Sequence, residues 1–475
     1  MIQNDTIAAV STGMTNSGIG IVRITGQDAF ETADRIYKGK KSILWAESHT
    51  IQHGYIVDGE ETIDEVLVML MRGPGTYTGE DTVEINCHGG TYVIKRVLET
   101  IIKAGARLAE PGEFTKRAFL NGKMDLSQAE AVMDVIQAEG EYALKSSVEQ
   151  LKGNIKNKII ELRKKIIYET AFIETALDDP EHISIDGYGV KLKEIILEMI
   201  KEIDLLLDSS EQGRIIKDGI QTVILGRPNA GKSSLLNALS GRERAIVTDI
   251  EGTTRDILEE RITLHGLCLN VIDTAGIRQS EDLIEQIGVE KAKEYAKNAD
   301  LILYVADSSG DLNENDAEIL NLILDRKNVI VLLNKSDLEK RLTKEAFRKE
   351  WMEQANLSAK DTEKIEQLKK IPVLEISAKN KEGLDLLEER LKEMFFHGDI
   401  QFHNEIYITN IRQKDALKKT QDSLRRVTDS INAGLPEDFY SIDLMDAYER
   451  LGSITGELIG EDLVNEIFSK FCVGK

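Results

Sequence analysis

The stretch Gly226-Arg227-Pro228-Asn229-Ala230-Gly231-Lys232-Ser233-Ser234 constrains this chain more than any other. It follows the apolar run Gln221-Thr222-Val223-Ile224-Leu225 and opens the helix-like stretch Leu235-Leu236-Asn237-Ala238-Leu239. A strand, a glycine-framed loop ending in Lys-Ser and then a helix make up a phosphate-binding loop (P-loop). Backbone N–H groups and the helix N-terminus cradle the phosphates, the lysine reaches the β/γ-phosphates, and the first serine hydroxyl reaches Mg²⁺. Taken alone, the pattern also fits a glycine turn capping an ordinary helix.

Later motifs remove that alternative. The segment Thr248-Asp249-Ile250-Glu251-Gly252-Thr253-Thr254-Arg255-Asp256 occupies the position of a first switch, where a threonine hydroxyl joins the Mg²⁺ sphere beside a γ-phosphate. Leu269-Asn270-Val271-Ile272 reads as a strand delivering Asp273-Thr274-Ala275-Gly276. There Asp273 supports the metal and Gly276 lets the backbone approach the γ-phosphate. Asn334-Lys335-Ser336-Asp337 ends an apolar strand over 329–333, and its aspartate can accept both guanine N1–H and N2–H, a pair that adenine lacks. Ser377-Ala378-Lys379 completes a base pocket through its backbone. Five motifs in this order, four at strand ends in an alternating β/α pattern, predict a guanine-nucleotide domain with a mostly parallel sheet and nucleotide at the carboxyl ends of the strands.

Ile277 follows this second motif where Ras-type enzymes carry a water-orienting glutamine, and an aliphatic side chain cannot do that work. Either a partner supplies the missing group or the water is positioned from elsewhere in the chain. Glu285 is a carboxylate near enough in sequence to act through a water, although most acids on such a segment are surface groups. Asn229 offers a side-chain oxygen beside the phosphates, so with first-switch carbonyls it can form an oxygen cage for a monovalent cation.

Length and composition bound the rest. A chain of 475 residues, 41% apolar and 30% charged, is expected to make roughly three soluble domains. No apolar run approaches bilayer length and the N-terminus lacks a basic, apolar signal pattern, so no membrane and a cytoplasmic location are expected. Cys87, Cys268 and Cys472 lie far apart with no CxxC, which argues against a disulfide framework or structural zinc. The formal charge of −23 opposes non-specific nucleic-acid binding, so any RNA contact needs a local basic patch. Two basic runs, over 151–165 and 411–426, are candidates for an RNA-facing surface or simply solvated helix faces.

Residues 1–121 read as an α+β domain, with strands expected over 6–11, 19–24, 50–57, 65–71 and 82–87 and helices over 28–37 and 92–104. A charged, glycine-containing segment over 111–123 closes it. Residues 122–218 turn helical, the nucleotide domain occupies 219–397, and 398–475 are helical again, with helix-like stretches over 415–433 and 443–471. A multidomain α/β protein is therefore expected, in which a Ras-like P-loop domain is inserted into a discontinuous helical domain behind an N-terminal α+β domain.

Together, the loop over 226–234, the run Gly252-Thr253-Thr254-Arg255-Asp256, the run Asp273-Thr274-Ala275-Gly276-Ile277-Arg278, the segment over 111–123 and the terminal Phe471-Cys472-Val473-Gly474-Lys475 closely resemble the bacterial tRNA-modification GTPases of the MnmE (TrmE) family, over the whole chain. The resemblance implies an N-terminal domain that binds a tetrahydrofolate derivative (the 5,10-methylene or 5-formyl form) and dimerises. Arg23, Glu80 and Lys123 would contact the folate, with Lys475 nearby. It implies K⁺ held by Asn229, Thr248, Ile250 and Thr253, Mg²⁺ held by Ser233 and Thr254, and Glu285 as the water-orienting carboxylate. The GTPase units would dimerise across their nucleotide faces. The family acts with an FAD-containing partner, MnmG (GidA), to install aminomethyl or carboxymethylaminomethyl groups at carbon 5 of the tRNA wobble uridine.

Cys472 has two readings. A thiol three residues from the C-terminus beside a lysine can serve as a nucleophile, or Phe471-Cys472-Val473 can form an apolar plug. Cys87 and Cys268 read as core, and His88 as a turn residue beside a possible folate cleft. The rival readings are a ribosome-assembly GTPase of the Era or Der kind and a folate-dependent transferase acting on small molecules. The first would need a KH-type GxxG or a second P-loop, and neither is found.

Overall fold

The computed structural model describes residues 5–184, 187–240, 259–264, 266–272, 295–355, 361–396, 406–457 and 460–474. It divides into two compact units: Met1–Met133, Gln150–Ile200 and Asp415–Lys475 form one, and Asp134–Glu149 with Lys201–Lys414 form the other.

The first unit begins with a seven-stranded sheet: β1 (Ile7–Val10), β2 (Ile19–Thr25), β3 (Tyr37–Gly39), β4 (Thr50–Asp58), β5 (Glu61–Met71), β6 (Thr82–His88) and β7 (Arg107–Leu108), in the order β3-β4-β5-β6-β2-β1-β7. Strand alternation sends Val22, Ile24, Val66, Val68, Val83 and Ile85 into a core shared with helices α1 (Ala29–Ile36) and α2 (Thr91–Lys103). The opposite face carries Arg23 and Glu84. The two short strands β3 and β7 escape sequence reading because their few residues hold no apolar alternation.

The segment expected only as a charged, glycine-containing close is a helix, α3 (Glu113–Leu120). Its charges mislead: Glu113 and Arg117 are only 6% and 5% exposed, because they neutralise one another inside the unit. Then follow α4 (Leu126–Gln137), α5 (Glu141–Leu151), α6 (Asn154–Asp178) and α7 (Tyr188–Asp218). α6 stops where Asp178-Asp179-Pro180 supplies a turn and a ring that cannot continue a helix.

In the second unit, six strands among the described residues form one sheet. They are β8 (Ile220–Leu225), β9 (Glu259–Leu264), β10 (Leu267–Ile272), β11 (Leu301–Asp307), β12 (Val329–Asn334) and β13 (Val373–Glu375), in the order β13-β12-β11-β8-β10-β9. All neighbours are parallel except the β9–β10 hairpin. Continuous apolar strands such as Leu301–Asp307 are buried on both faces, as crossover helices require. Those helices are α8 (Lys232–Ser240), α9 (Glu314–Ile323), α10 (Lys344–Gln354), α11 (Thr362–Lys370) and α12 (Leu384–Phe396).

The chain returns through α13 (Ile411–Asn432), α14 (Asp438–Thr455) and α15 (Glu461–Ser469). The single stretch expected over 443–471 is thus two helices, broken at Gly456. In the first unit α14 packs along α6, where Arg163 lies over the Tyr448 ring and pairs with Glu457 at 2.5 Å. α15 packs on α3 through Phe468 and Phe119. A helical scaffold is therefore interrupted by the nucleotide-type unit in chain order, as a multidomain α/β architecture.

Candidate nucleotide and pterin sites

β8 delivers the phosphate loop at the centre of its sheet. Gly226 has φ +148°, and a methyl group on it would lie 2.2 Å from the Val305 carbonyl oxygen. Gly231 has φ +98°, and a methyl there would meet Asn334 Nδ2 at 2.1 Å. Only glycine fits either place. Asn229, between them, is exposed and left-handed, with φ 62°. Asparagine tolerates that conformation better than most residues. Ala230 is buried, whereas Ser233 and Ser234 open α8 with exposed side chains.

Lys232 curls back over the loop and donates to the Gly226 carbonyl at 2.7 Å and the Arg227 carbonyl at 2.9 Å. Burial lowers its pKa from the ordinary lysine value. Its charge thus sits in a poorly solvating place that an anion would relieve.

Across the sheet, Asn334 is 2% exposed and ties two loops together. Its Nδ2 donates to the Ala230 carbonyl at 3.0 Å, and its Oδ1 accepts the Ala378 amide at 3.0 Å. Ser377 donates its hydroxyl to Asp337 at 2.7 Å, and this bond, with Lys379 and Lys335 nearby, holds the Asp337 carboxyl below the usual range. The exposed Asp337 carboxylate is an anionic acceptor at neutral pH. Lys335 has φ 64° and donates to Asp307 at 2.7 Å. The structure brings together Asn229, Ala230, Gly231, Lys232, Ser233 and Ser234 on one side with Asn334, Lys335, Asp337, Ser377, Ala378 and Lys379 on the other.

Several expected residues lie outside the described residues: Thr248, Asp249, Ile250, Glu251, Gly252, Thr253, Thr254, Asp273, Thr274, Ala275, Gly276, Glu285 and Lys475. Among the described residues no group of three or more His, Cys, Asp or Glu side chains is placed to hold a metal ion. The donors available are single hard oxygens: the exposed Ser233 hydroxyl suits Mg²⁺, and the exposed Asn229 amide suits a monovalent cation.

The first unit holds a second polar site on the sheet face opposite α1 and α2, where α3 packs. Arg23 of β2 donates to Glu84 of β6 at 2.7 Å, and its guanidinium lies 5.8 Å from the Tyr77 ring and 5.6 Å from the Phe114 ring. Glu80 accepts Arg117 at 3.2 Å. Arg117 also donates to the Asp5 carboxylate at 2.7 Å and to Glu113 at 3.0 Å. Lys123 donates to the Pro74 carbonyl at 2.7 Å, and its stem passes beside Gly79. The three expected residues therefore meet at one loop: Tyr77 lies under Arg23, Glu80 is part of it, and Lys123 donates to Pro74 at its start.

Sequence reasoning missed Glu84, Tyr77, Phe114 and Arg117 as members of this site. The alternation of β6 places Glu84 opposite Arg23, but only the pairing of β2 with β6 reveals it.

At the C-terminus, Phe471 alone is the apolar plug, buried against Phe468 at 4.9 Å between ring centres. Cys472 and Val473 are exposed, so the plug reading does not extend to the thiol. The Cys472 carbonyl accepts the Gly112 amide at 3.2 Å, and the Gly474 carbonyl accepts the Ser11 hydroxyl at 3.3 Å. The tail thus lies against the start of α3, two residues before Phe114. Burial pushes the Cys87 thiol up to about 11. Burial and the neighbouring Glu139 push the Cys268 thiol to about 11 as well.

Both basic runs are partly neutralised, and Lys164 of the first is exposed without an ion pair among the described residues. Over 151–165, Lys156 pairs with Asp125, Lys158 and Lys165 with Glu161, and Arg163 with Glu457. Over 411–426, Lys419 pairs with Asp415 and Arg426 with Asp443 and Asp446. Lys414, Lys418 and Arg425 remain exposed without an ion pair among the described residues.

The sequence description of the MnmE helical domain matches residues 126–472, and that of the GTP-binding protein TrmE N-terminus matches residues 6–123. The tRNA modification GTPase MnmE of Lachnoclostridium phytofermentans is 56% identical over 100% of both chains. That of Acetivibrio thermocellus is 46% identical over 100% of both. A solved structure, the G domain of the T. maritima FeoB iron transporter, matches 37% of this chain and 98% of its own at 28% identity, with a TM-score of 0.24. On the full-length identity and the two domain matches, the chain belongs to the MnmE family of tRNA modification GTPases.

Proposed function

We propose that this chain hydrolyses GTP to GDP and phosphate as one subunit of an enzyme that modifies the wobble uridine of tRNA. The observation that carries the reading is the joining, in one chain, of a phosphate loop and base loop with the Arg23–Glu84 side-chain cluster. With a tetrahydrofolate derivative as one-carbon source and an FAD-containing MnmG (GidA) partner, the assembly would install aminomethyl or carboxymethylaminomethyl groups at carbon 5.

In hydrolysis, the amides opening α8 receive the phosphates, and the Lys232 ammonium exchanges its two loop carbonyls for phosphate oxygens. Asp337 accepts guanine N1–H and N2–H, steadied by Ser377. Ser233 and Thr254 would hold Mg²⁺, and Asn229, Thr248, Ile250 and Thr253 would hold K⁺. When bound, these ions offset charge on the β- and γ-phosphate oxygens. Glu285 would orient the attacking water that Ile277 cannot.

In the first unit, Arg23, Glu80 and Lys123 would bind the folate, with Lys475 nearby and Cys472 as a thiol nucleophile. A homodimer is supported by the same sheet face. Strand alternation places Ile19, Ile51 and Leu67 there, and they are 62%, 59% and 48% exposed. So much apolar surface on one sheet fits a second copy of the chain. The unpaired Lys414, Lys418 and Arg425 supply local positive charge for tRNA in an acidic chain. No helix among the described residues is long and apolar enough to cross a membrane; the action on tRNA proposed here would be cytoplasmic.

The deciding experiment is nucleoside analysis of tRNA from cells lacking the chain. Loss of the wobble-uridine side chain, restored by the parental gene and not by Lys232→Ala, is expected. Intact wobble nucleosides with accumulated immature ribosomal subunits would instead place the chain with the ribosome-assembly GTPases.

A further inference from the structure

Asp307 ends β11, the strand lying between β8 and β12. Those neighbours feed the phosphate loop and the loop at 334–337, and Asp307 is in register with Asn334. One carboxylate therefore stands between the two nucleotide loops.

Both loops reach it. Asp307 Oδ2 accepts Lys335 Nζ at 2.7 Å and faces Arg227 Nη2 at 3.9 Å. Its Oδ1 accepts the Ser309 amide at 3.0 Å and the Ser309 hydroxyl at 2.7 Å. Burial pushes the Asp307 carboxyl up, but Lys335 and Ser309 outweigh it and hold the group below the usual carboxylate range. It is an anion at neutral pH.

Arg227 is held from its other side too. Its Nη1 donates to the Asp311 carbonyl at 3.0 Å and lies 3.5 Å from Asp316 Oδ2. Asp316 is 1% exposed and is itself fixed by the Tyr304 hydroxyl at 2.6 Å and by the capping box with Asn313.

We propose that Asp307 is a positioning residue for the nucleotide, fixing Lys335 of the base loop and Arg227 of the phosphate loop through one carboxylate before GTP arrives. A free lysine loses rotamer entropy when a ligand orders it, and a pre-ordered one does not. Lys335 gains most, because its left-handed backbone already commits the stem to one direction. GTP and GDP benefit alike, since neither contact concerns the γ-phosphate. This rests on reading residues 334–337 as the guanine-binding loop.

The test uses the full chain with GTP and GDP. In Asp307→Asn, which keeps the size of the side chain, both dissociation constants should rise about ten-fold, the scale of one charge-assisted hydrogen bond. KM should rise with them while kcat at saturating GTP stays within about two-fold. In a Lys335→Met background the same substitution should change affinity by less than about two-fold, because its main partner is gone.

Unchanged affinity in Asp307→Asn alongside weakened binding in Lys335→Met would overturn the proposal. So would an equal ten-fold loss in both backgrounds, or a fall in kcat at constant KM. If Lys335→Met itself binds like the parent, the base-loop reading fails first. Should Asp307→Asn not fold, Ser309→Ala frees the other carboxylate oxygen and should weaken both nucleotides by about two- to three-fold; no change would count against Asp307.

Discussion

The phosphate loop and the Arg23 cluster hold their charges by different means. The first is made of main chain: Gly226 and Gly231 admit strand and loop atoms where any side chain would collide, and Asn229 turns left-handed between them. The second is made of side chains drawn from far apart. Asp5, Arg23, Glu80, Glu84, Glu113 and Arg117 arrive from two strands, a loop, a helix and the N-terminal segment, with Asp5 and Arg117 separated by 112 positions. A backbone site fails when space is filled. A side-chain site fails when a counter-charge is taken away.

The largest effect should come from Gly226→Ala. Its methyl would sit against the Val305 carbonyl, a backbone atom, so β8 and β11 would have to part. Overpacking here should cost about 3 kcal/mol or more and abolish GTP binding, read by thermal unfolding and by titration with a fluorescent guanine nucleotide. Normal binding by this variant would end the distinction between the two sites.

Next comes Arg117→Met, which takes the cation from Glu80 and leaves Glu113 and Asp5 to share Arg107 alone. Breaking a buried pair this way costs about 3–5 kcal/mol, here confined to the first unit, with GTP turnover little changed. Burial pushes the Glu113 carboxyl up, but Arg107, the Glu110 amide and Arg117 bring it below the ordinary value. A lowered folded pKa gives stability that is full above the unfolded value and is lost as pH falls through the folded one. Acid unfolding of the variant should therefore begin at a higher pH than in the parent, followed by circular dichroism. A coincident transition would show that Arg117 contributes nothing to this balance.

Asn229→Ala sharpens the contrast at a backbone-built site where one side chain does act. Turnover should be faster in K⁺ than in Na⁺ for the parent. The variant should lose about ten-fold in K⁺, near 1.4 kcal/mol of transition-state stabilisation, and no longer distinguish the two salts. Smallest is a labelling difference. With thiols at about 11, Cys87 and Cys268 carry roughly one thiolate in a thousand at pH 8, so an alkylating reagent should mark the exposed Cys472 well before either. Equal rates would contradict the raised thiol pKa of buried Cys87 and half-buried Cys268.

This difference also explains what could be read without coordinates. The phosphate loop is legible because its requirements are consecutive: glycine, then lysine and serine, between an apolar strand and a helix. The mostly parallel sheet follows from apolar strands that must be covered on both faces; its strand order does not. The N-terminal strands declare themselves by alternation, but α3 hides, since Glu113 and Arg117 look like surface charges until Asp5 and Glu80 are brought to them. Glu84 and Phe114 were invisible as members of the Arg23 site for the same reason. Their role depends on strand pairing and on the return of α3, not on any local pattern.

Two separate ligand sites in one chain should show up in calorimetric titration of the full-length protein with GDP and with 5-formyltetrahydrofolate, each ligand binding the parent. Arg23→Gln should lose folate binding and keep GDP, while Asp337→Asn should lose GDP and keep folate. A parent chain with no affinity for the folate, or variants in which both ligands are lost together, would contradict two separate sites.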